Sequence, residues 1–305
     1  MLSRKSRKKK GKNPEPGWLT RLARGKRKFV AHVRLKGAIG MDRPLSPSLS
    51  MAGIEDTLEA AFAIPGLAAV AISVNSPGGS PVQSTLIHSR IRQLAEETGV
   101  KVMVFCEDVA ASGGYLLALA GDEIFADRSS IVGSIGVISA SFGFTDAMKK
   151  VGVERRVYTA GTNKSVLDPF LPEKKEDVEH LKSLQLDVHE AFKDIVRGSR
   201  GDKLKGDEKE LFSGLFWSGG KALEFGLVDG IGSLHTTLRE RFGDDVIIRT
   251  VDARSGLSLR KLLMPGGGKA LQGGVDHAAG TAAGAALERA MTLAEERALW
   301  SRYGL

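Results

Sequence analysis

The sequence predicts an α/β protein built on a mostly parallel sheet, and three observations carry that prediction. Short apolar, β-branched runs recur through the middle of the chain, each ends at a turn, and each turn opens into a stretch with helical spacing of apolar residues. Strand, turn and helix repeated in succession imply crossover connections, and crossovers are what parallel strands require.

The first unit is the run Val70-Ala71-Ile72-Ser73-Val74, closed by the tight turn Asn75-Ser76-Pro77-Gly78-Gly79. Pro81 suits a first helical turn, where its missing N–H costs nothing. Ile87, Ile91, Leu94 and Ala95 then keep one face apolar as far as a stop at Gly99. The second unit is a strand from Val100 to Phe105 and a helix from Ala111 to Ala120, with Glu107 and Asp108 read as loop charges between them. Ser112 therefore falls where a strand hands over to a helix.

Further on, Val178, Leu181, Gln185, Val188, Phe192 and Ile195 recur every three or four residues between Pro172-Glu173 and Gly198, which predicts a long helix with one face on the core. His180 and His189 read as solvated on it. Ser218 to Phe225 is a shorter helix closed by Gly226. Leu227 to Gly232 follows as strand or turn, then a helix from Leu234 to Phe242 and a last strand from Val246 to Val251. Pro265-Gly266-Gly267-Gly268 and Gly273-Gly274 have the composition of a flexible linker, and the alanine-rich stretch from Ala278 to Leu299 has helical spacing. The expected organisation is a basic, disordered tail over 1–28, a folded α/β domain over 29–254, a glycine-rich linker over 255–277 and a C-terminal helix over 278–305.

Charge and cysteine content narrow the function classes. The formal charge is +8, but residues 1–28 hold twelve Lys and Arg against the single acid Glu15, a local +11, so the remaining residues carry a net −3. The basicity belongs to the tail. Each basic residue near an anionic bilayer contributes about 1 kcal/mol, so peripheral contact of the tail with an anionic membrane is one reading; a nucleic-acid partner is not expected. The longest nearly apolar stretch, Leu67 to Val74, is far short of a membrane span, and no secretory signal is evident. A cytoplasmic protein is expected, with attachment at the cytoplasmic face of the inner membrane as the variant the tail allows. Cys106 is the only cysteine, which excludes an internal disulfide, and it reads as a small buried hydrophobe. Histidines, cysteine and acids show no metal-ligand spacing, so neither metal nor cofactor is expected.

Ser112, in Ala111-Ser112-Gly113-Gly114-Tyr115, and Lys164, in Gly161-Thr162-Asn163-Lys164-Ser165, carry the candidate chemistry. A serine hydroxyl attacks a carbonyl only when a base takes its proton, and lysine can be that base only when neutral, as desolvation makes it. Acyl transfer also needs N–H donors aimed at the oxyanion, and Gly78, Gly79 and Gly113 could supply them from the backbone. No histidine sits in a motif suggesting a Ser-His-Asp triad.

Taken in order, Val74-Asn75-Ser76-Pro77-Gly78-Gly79-Ser80, Ala111-Ser112-Gly113-Gly114-Tyr115, Gly133-Ser134-Ile135-Gly136-Val137 and Lys164 resemble the S49 serine peptidases, the signal peptide peptidase A and protease SohB group. The resemblance runs from about Phe29 to Val251 and includes Leu227-Val228-Asp229. It implies a ClpP/crotonase-like fold, to which the alanine-rich stretch from Ala278 would add a C-terminal helical extension. It also implies that Ser112 is the acylated nucleophile, Lys164 the general base, and Gly78 or Gly79 with Gly113 the oxyanion hole, while Ser134 orients the lysine. Peptide would be the substrate, cleaved signal peptides or fragments of misfolded membrane proteins among the candidates. The implied assembly is a homo-oligomeric ring with the dyad completed between neighbouring subunits. Lys149, Lys150 and Lys174 are the rival bases; the first two read as the exposed end of a short helix after Thr145, the third as the start of the long helix. A crotonase-type acyl-CoA enzyme, or an inactive scaffold of the same fold, is the alternative.

Overall fold

The computed structural model describes residues 27–40, 49–252, 294 and 297–304. The basic tail (except its last two residues), the glycine-rich linker and most of the C-terminal helix lie outside these.

The sheet starts with β1 (Phe29–Lys36), followed by α1 (Met51–Phe62), β2 (Leu67–Ser76), α2 (Pro81–Thr98), β3 (Val102–Ala111) and α3 (Gly113–Ala118). Next come β4 (Glu123–Ala126), β5 (Ile131–Gly133), α4 (Thr145–Val151) and α5 (Lys175–Arg200). The chain continues through α6 (Glu208–Leu211), β6 (Phe216–Ser218), α7 (Gly219–Glu224), β7 (Gly230–Ile231), α8 (Leu234–Phe242) and β8 (Ile247–Thr250). The main path runs β6-β5-β3-β2-β1-β8, with β4 on β3 and β7 on β4. Every pairing is parallel except β5 with β6. The predicted α/β class with a mostly parallel sheet is the architecture found.

The central strands are nearly continuous apolar runs because helices cover them. Val70, Ile72 and Val74 face one layer with Ile87 and Ile91, while Ala69, Ala71, Met103 and Phe105 face the other with Leu238. The helix predicted from Pro81 to Gly99 is capped at both ends: the Ser80 hydroxyl accepts from the Gln83 N–H, and Gly99 closes it at φ 66°.

β3 is longer than predicted and forks. Met103 to Cys106 pair with β4, whereas Val109 to Ala111 pair with β5. Glu107 and Asp108 are strand residues at the fork, not loop charges. Their polarity is tolerated because the Asn75 side chain bridges the strands, donating to Asp108 Oδ2 at 2.7 Å and accepting from the Val109 N–H at 3.3 Å.

The long helix also departs from its reading. Gly198 lies inside α5, which ends at Gly201 (φ 46°). Only Phe192, Val196 and Arg200 on it are buried, so the C-terminal part packs on the core and the rest projects past it. At its end, Arg200 Nη1 and Nη2 bond Asp229 at 2.8 and 3.0 Å, and Arg200 Nε donates to the Gly226 carbonyl. Lys203 Nζ and the Ile124 N–H also donate to Asp229, each at 2.8 Å.

Candidate functional site

Ser112 stands one residue beyond β3, at the carboxyl edge of the sheet, with φ 53° and ψ −124°. Its N–H donates to the Gly133 carbonyl at 2.8 Å, and its own carbonyl accepts from the Leu116 N–H at 3.0 Å. β5 and α3 thereby hold the serine in a left-handed conformation that an L-residue avoids, at a cost of about 1–3 kcal/mol. Among the described residues three non-glycines have positive φ: Ser112, Ser134 and Leu167. Two are candidate site residues, and the third lies three positions from Lys164.

The turn after β2 is built against the serine. Gly78 has φ 102°, and a Cβ there would lie 2.8 Å from the Ser112 Cβ and 2.9 Å from the Gly113 nitrogen. Gly79 has φ 143°, and a Cβ there would lie 2.2 Å from the Ile39 carbonyl oxygen. The turn is locked by Ile39, whose N–H donates to Gly78 O and whose carbonyl accepts from the Ser80 N–H, each at 2.9 Å.

The backbone N–H groups around Ser112 are not equivalent. That of Gly78 donates to Ser76 Oγ at 3.2 Å. Those of Gly79 and Gly113 have no acceptor among the described residues. The Ser112 hydroxyl is likewise without a partner among them.

These groups open onto a cavity of about 480 Å³. Its walls are mainly apolar, with Leu86, Leu116, Ile138, Val188 and Phe192 opposite Ser112, Gly79 and Gly113. Ser134 is buried at the next turn, one residue past β5. Its N–H donates to Leu215 O at 2.7 Å, and its Oγ accepts from the Tyr303 hydroxyl at 3.5 Å. One support differs from the solvated position its place on the helix suggests. His189 faces inward from α5 and its Nε2 donates to Ile135 O at 3.1 Å, so it braces the Ser134 turn. Nothing in the helical pattern marked it, because the carbonyl it meets is 54 residues away.

The structure brings Ser112, Gly78, Gly79, Gly113 and Ser134 into one region; Lys164 stands apart. It sits in an exposed turn, its N–H on Gly161 O, and its amine has no partner among the described residues. The turn belongs to a long excursion, for no residue from Gly136 to Ala191 is buried. Phe144 and Phe170 stack at 5.5 Å, the Arg155 guanidinium lies 4.9 Å over Phe170 and pairs with Asp168, and the Leu167 N–H donates to Asp177 on α5. The excursion is ordered by its own contacts but leaves Phe142 at 80% and Tyr158 at 90% exposure.

Burial, only partly opposed by Arg200, pushes the Cys106 thiol up to about 12, which removes it as a nucleophile. Among the described residues no three His, Cys, Asp or Glu side chains come together as metal ligands.

Fold and site define a class: an α/β protein that displays a strained serine at the carboxyl edge of a parallel sheet, between unpaired backbone donors. The model of peptidase family S49 matches residues 95–242, and the chain belongs to that family. A Synechocystis protein named as a protease is 30% identical over 210 residues, covering 68% of this chain and 71% of its own length. The chloroplastic serine protease SPPA of Arabidopsis thaliana is 33% identical over 221 residues, 69% of this chain and 31% of that one. Higher identity, 54% over 295 residues, is shared with a Brucella abortus protein named Na(+)/H(+) antiporter NhaA. That match covers 95% of this chain but only 39% of the relative. The antiporter name belongs to that longer protein; no helix among the described residues here is long and apolar enough to cross a membrane.

Proposed function

We propose that the protein is a serine endopeptidase working through a Ser112–Lys164 dyad. The observation that carries this reading is Ser112 itself, strained, its hydroxyl free of hydrogen-bond partners among the described residues and flanked by the two unpaired N–H groups of Gly79 and Gly113. Those two, rather than the already engaged Gly78, form the oxyanion hole. Ser112 Oγ attacks the scissile carbonyl while the neutral Lys164 amine takes its proton, and the tetrahedral oxyanion is held by the two N–H groups. The lysine returns the proton to the leaving amine. Water, deprotonated by the same lysine, then hydrolyses the acyl-enzyme and frees Ser112.

Lys164 comes from a neighbouring copy of the chain. The exposed excursion supports this, since twelve of the eighteen exposed large hydrophobics among the described residues lie between Ile138 and Val188, more than a lone soluble chain ordinarily leaves in water. Docking on a second copy would bury that surface and withdraw the amine from solvent. Ser134 would then orient it. A homo-oligomeric ring is the assembly that satisfies every copy in the same way.

The apolar cavity beside Ser112 suits apolar side chains, as found in cleaved signal peptides or membrane-protein fragments. The +11 tail suits peripheral contact with an anionic membrane. A peptide-library digest with wild-type and Ser112→Ala protein, read by mass spectrometry, tests the proposal. Cleavage beside apolar residues by the wild type alone is expected; cleavage by both proteins would refute it.

A further inference from the structure

The apolar cavity is not lined by the catalytic domain alone. Leu299 and Arg302 form part of its wall, although the preceding described part of the domain ends at Asp252. The chain is helical over 297–301, and the Tyr303 N–H then donates to Trp300 O at 2.9 Å. This turn presents the Tyr303 ring edge-on to Phe216 of β6, with centroids 5.0 Å apart. The same side chain reaches across to donate its hydroxyl proton to Ser134 Oγ.

We propose that segment 297–304 is a built-in occupant of the groove beside Ser112, in which Tyr303 holds the Ser134 hydroxyl that the Lys164 amine requires. The proposal rests on the peptidase reading of Ser112 and Ser134 and adds its regulation. A serine hydroxyl offers one proton and two lone pairs, so a phenol seated on Ser134 competes with an incoming amine for both space and hydrogen-bonding capacity. The Tyr303 to Ser134 bond, at 3.5 Å, is long for an O–H···O contact, whose usual length is about 2.7–2.8 Å. Holding therefore falls mainly to the Phe216 contact and to Leu299 and Arg302 on the cavity wall. A contact of this kind is displaceable. Covalent continuity gives the segment a high local concentration that a free peptide of the same sequence lacks, so weak contacts are enough to keep it seated. The site is then closed in the isolated chain and opens when substrate or a neighbouring copy's excursion displaces the segment.

The test uses full-length protein carrying Leu299→Asp with Tyr303→Ala, and separately Tyr303→Phe. The readout is the rate at which a fluorophosphonate modifies Ser112. The double variant is expected to react about 5- to 30-fold faster than wild type, the span that loss of a modest stabilising contact corresponds to. Tyr303→Phe, which loses only the hydroxyl, is expected to lie between them. A synthetic peptide of residues 294–305, added at about millimolar concentration to match what the tether supplies, should slow the double variant. Equal rates in wild type and double variant, or no effect of the peptide, would overturn the inference. Absence of modification in every protein would instead sink the peptidase reading. In that case anisotropy of the fluorescein-labelled peptide on the double variant decides the inference alone: binding that is lost on Phe216→Ala sustains it, and no binding ends it.

Discussion

Replacing Asp229 with alanine should destabilise the domain by about 3–5 kcal/mol, the cost of leaving a buried cation without its partner. The magnitude follows from geometry. The Arg200 side chain is 1% exposed and Asp229 18%, and two Arg200 nitrogens meet the carboxylate at 2.8 and 3.0 Å. The Ile124 N–H at the start of β4 would also lose its acceptor. For a domain of 150–250 residues each kcal/mol lowers Tm by roughly 2–4 °C, so a fall of about 6–20 °C is expected in differential scanning calorimetry. Acid titration supplies an independent check. Burial works to raise the Asp229 carboxyl, but the hydrogen bonds from Arg200, Lys203 and Ile124 outweigh it and hold it at about 2. A depressed carboxylate stabilises the fold above its ordinary range near pH 4, and that contribution is lost as pH falls from about 4 to 2. Asp229→Asn should flatten the acid limb over that window. A loss below about 1 kcal/mol in the alanine variant, the size of an exposed ion pair, would refute the argument.

Three further outcomes are expected. Ser112→Ala and Lys164→Ala should each abolish peptide cleavage while leaving the fold intact, and mixing the two inactive proteins should restore part of the activity, because some interfaces then hold both residues; no recovery on mixing would refute a dyad shared between copies. Gly79→Ala should reduce kcat at least 10²-fold, the usual cost of a lost oxyanion donor, because its Cβ would lie 2.2 Å from Ile39 O and the turn must shift; kinetics within tenfold of wild type would contradict that role. Burial first, then Arg34 and Arg92 respectively, lowers His32 and His88 to about 4, so the unfolded chain binds more protons than the folded one between pH 6.5 and 4. Stability should fall as pH drops through that window, and an unchanged denaturation midpoint between pH 7 and 4.5 would contradict this.

Elements with local punctuation were readable in the sequence. Pro81 and Gly99 delimit α2 because a proline at one end and a left-handed glycine at the other act within the helix itself. Leu234 to Phe242 was readable too, with Ser233 capping its start. Features decided by distant partners were not. Glu107 and Asp108 resemble a loop until Asn75 and the fork toward β4 and β5 are known. Gly198 resembles a stop, yet α5 runs through it because Arg200 is anchored on Asp229. α1 went unrecognised, and its N-cap, the Ser50 hydroxyl on the Gly53 N–H, is a single weak signal.

The candidate site divides in the same way. Ser112 and the glycines lie at strand ends, where turn chemistry is written locally. Which glycine N–H stays free depends on Ser76 Oγ capturing that of Gly78, which spacing cannot disclose. Order along the chain is what distinguishes Lys164 from Lys149, Lys150 and Lys174, and its exposed turn supplies no side-chain contact that singles it out.

Intact-mass and peptide-mapping analysis after fluorophosphonate treatment, run on wild-type and Lys164→Ala protein side by side, tests the proposed dyad most directly. A single adduct on Ser112 in the wild type, with little or none in the Lys164 variant, is the predicted result. An adduct on another residue, no adduct in the wild type, or full modification of Ser112 without Lys164 would contradict it.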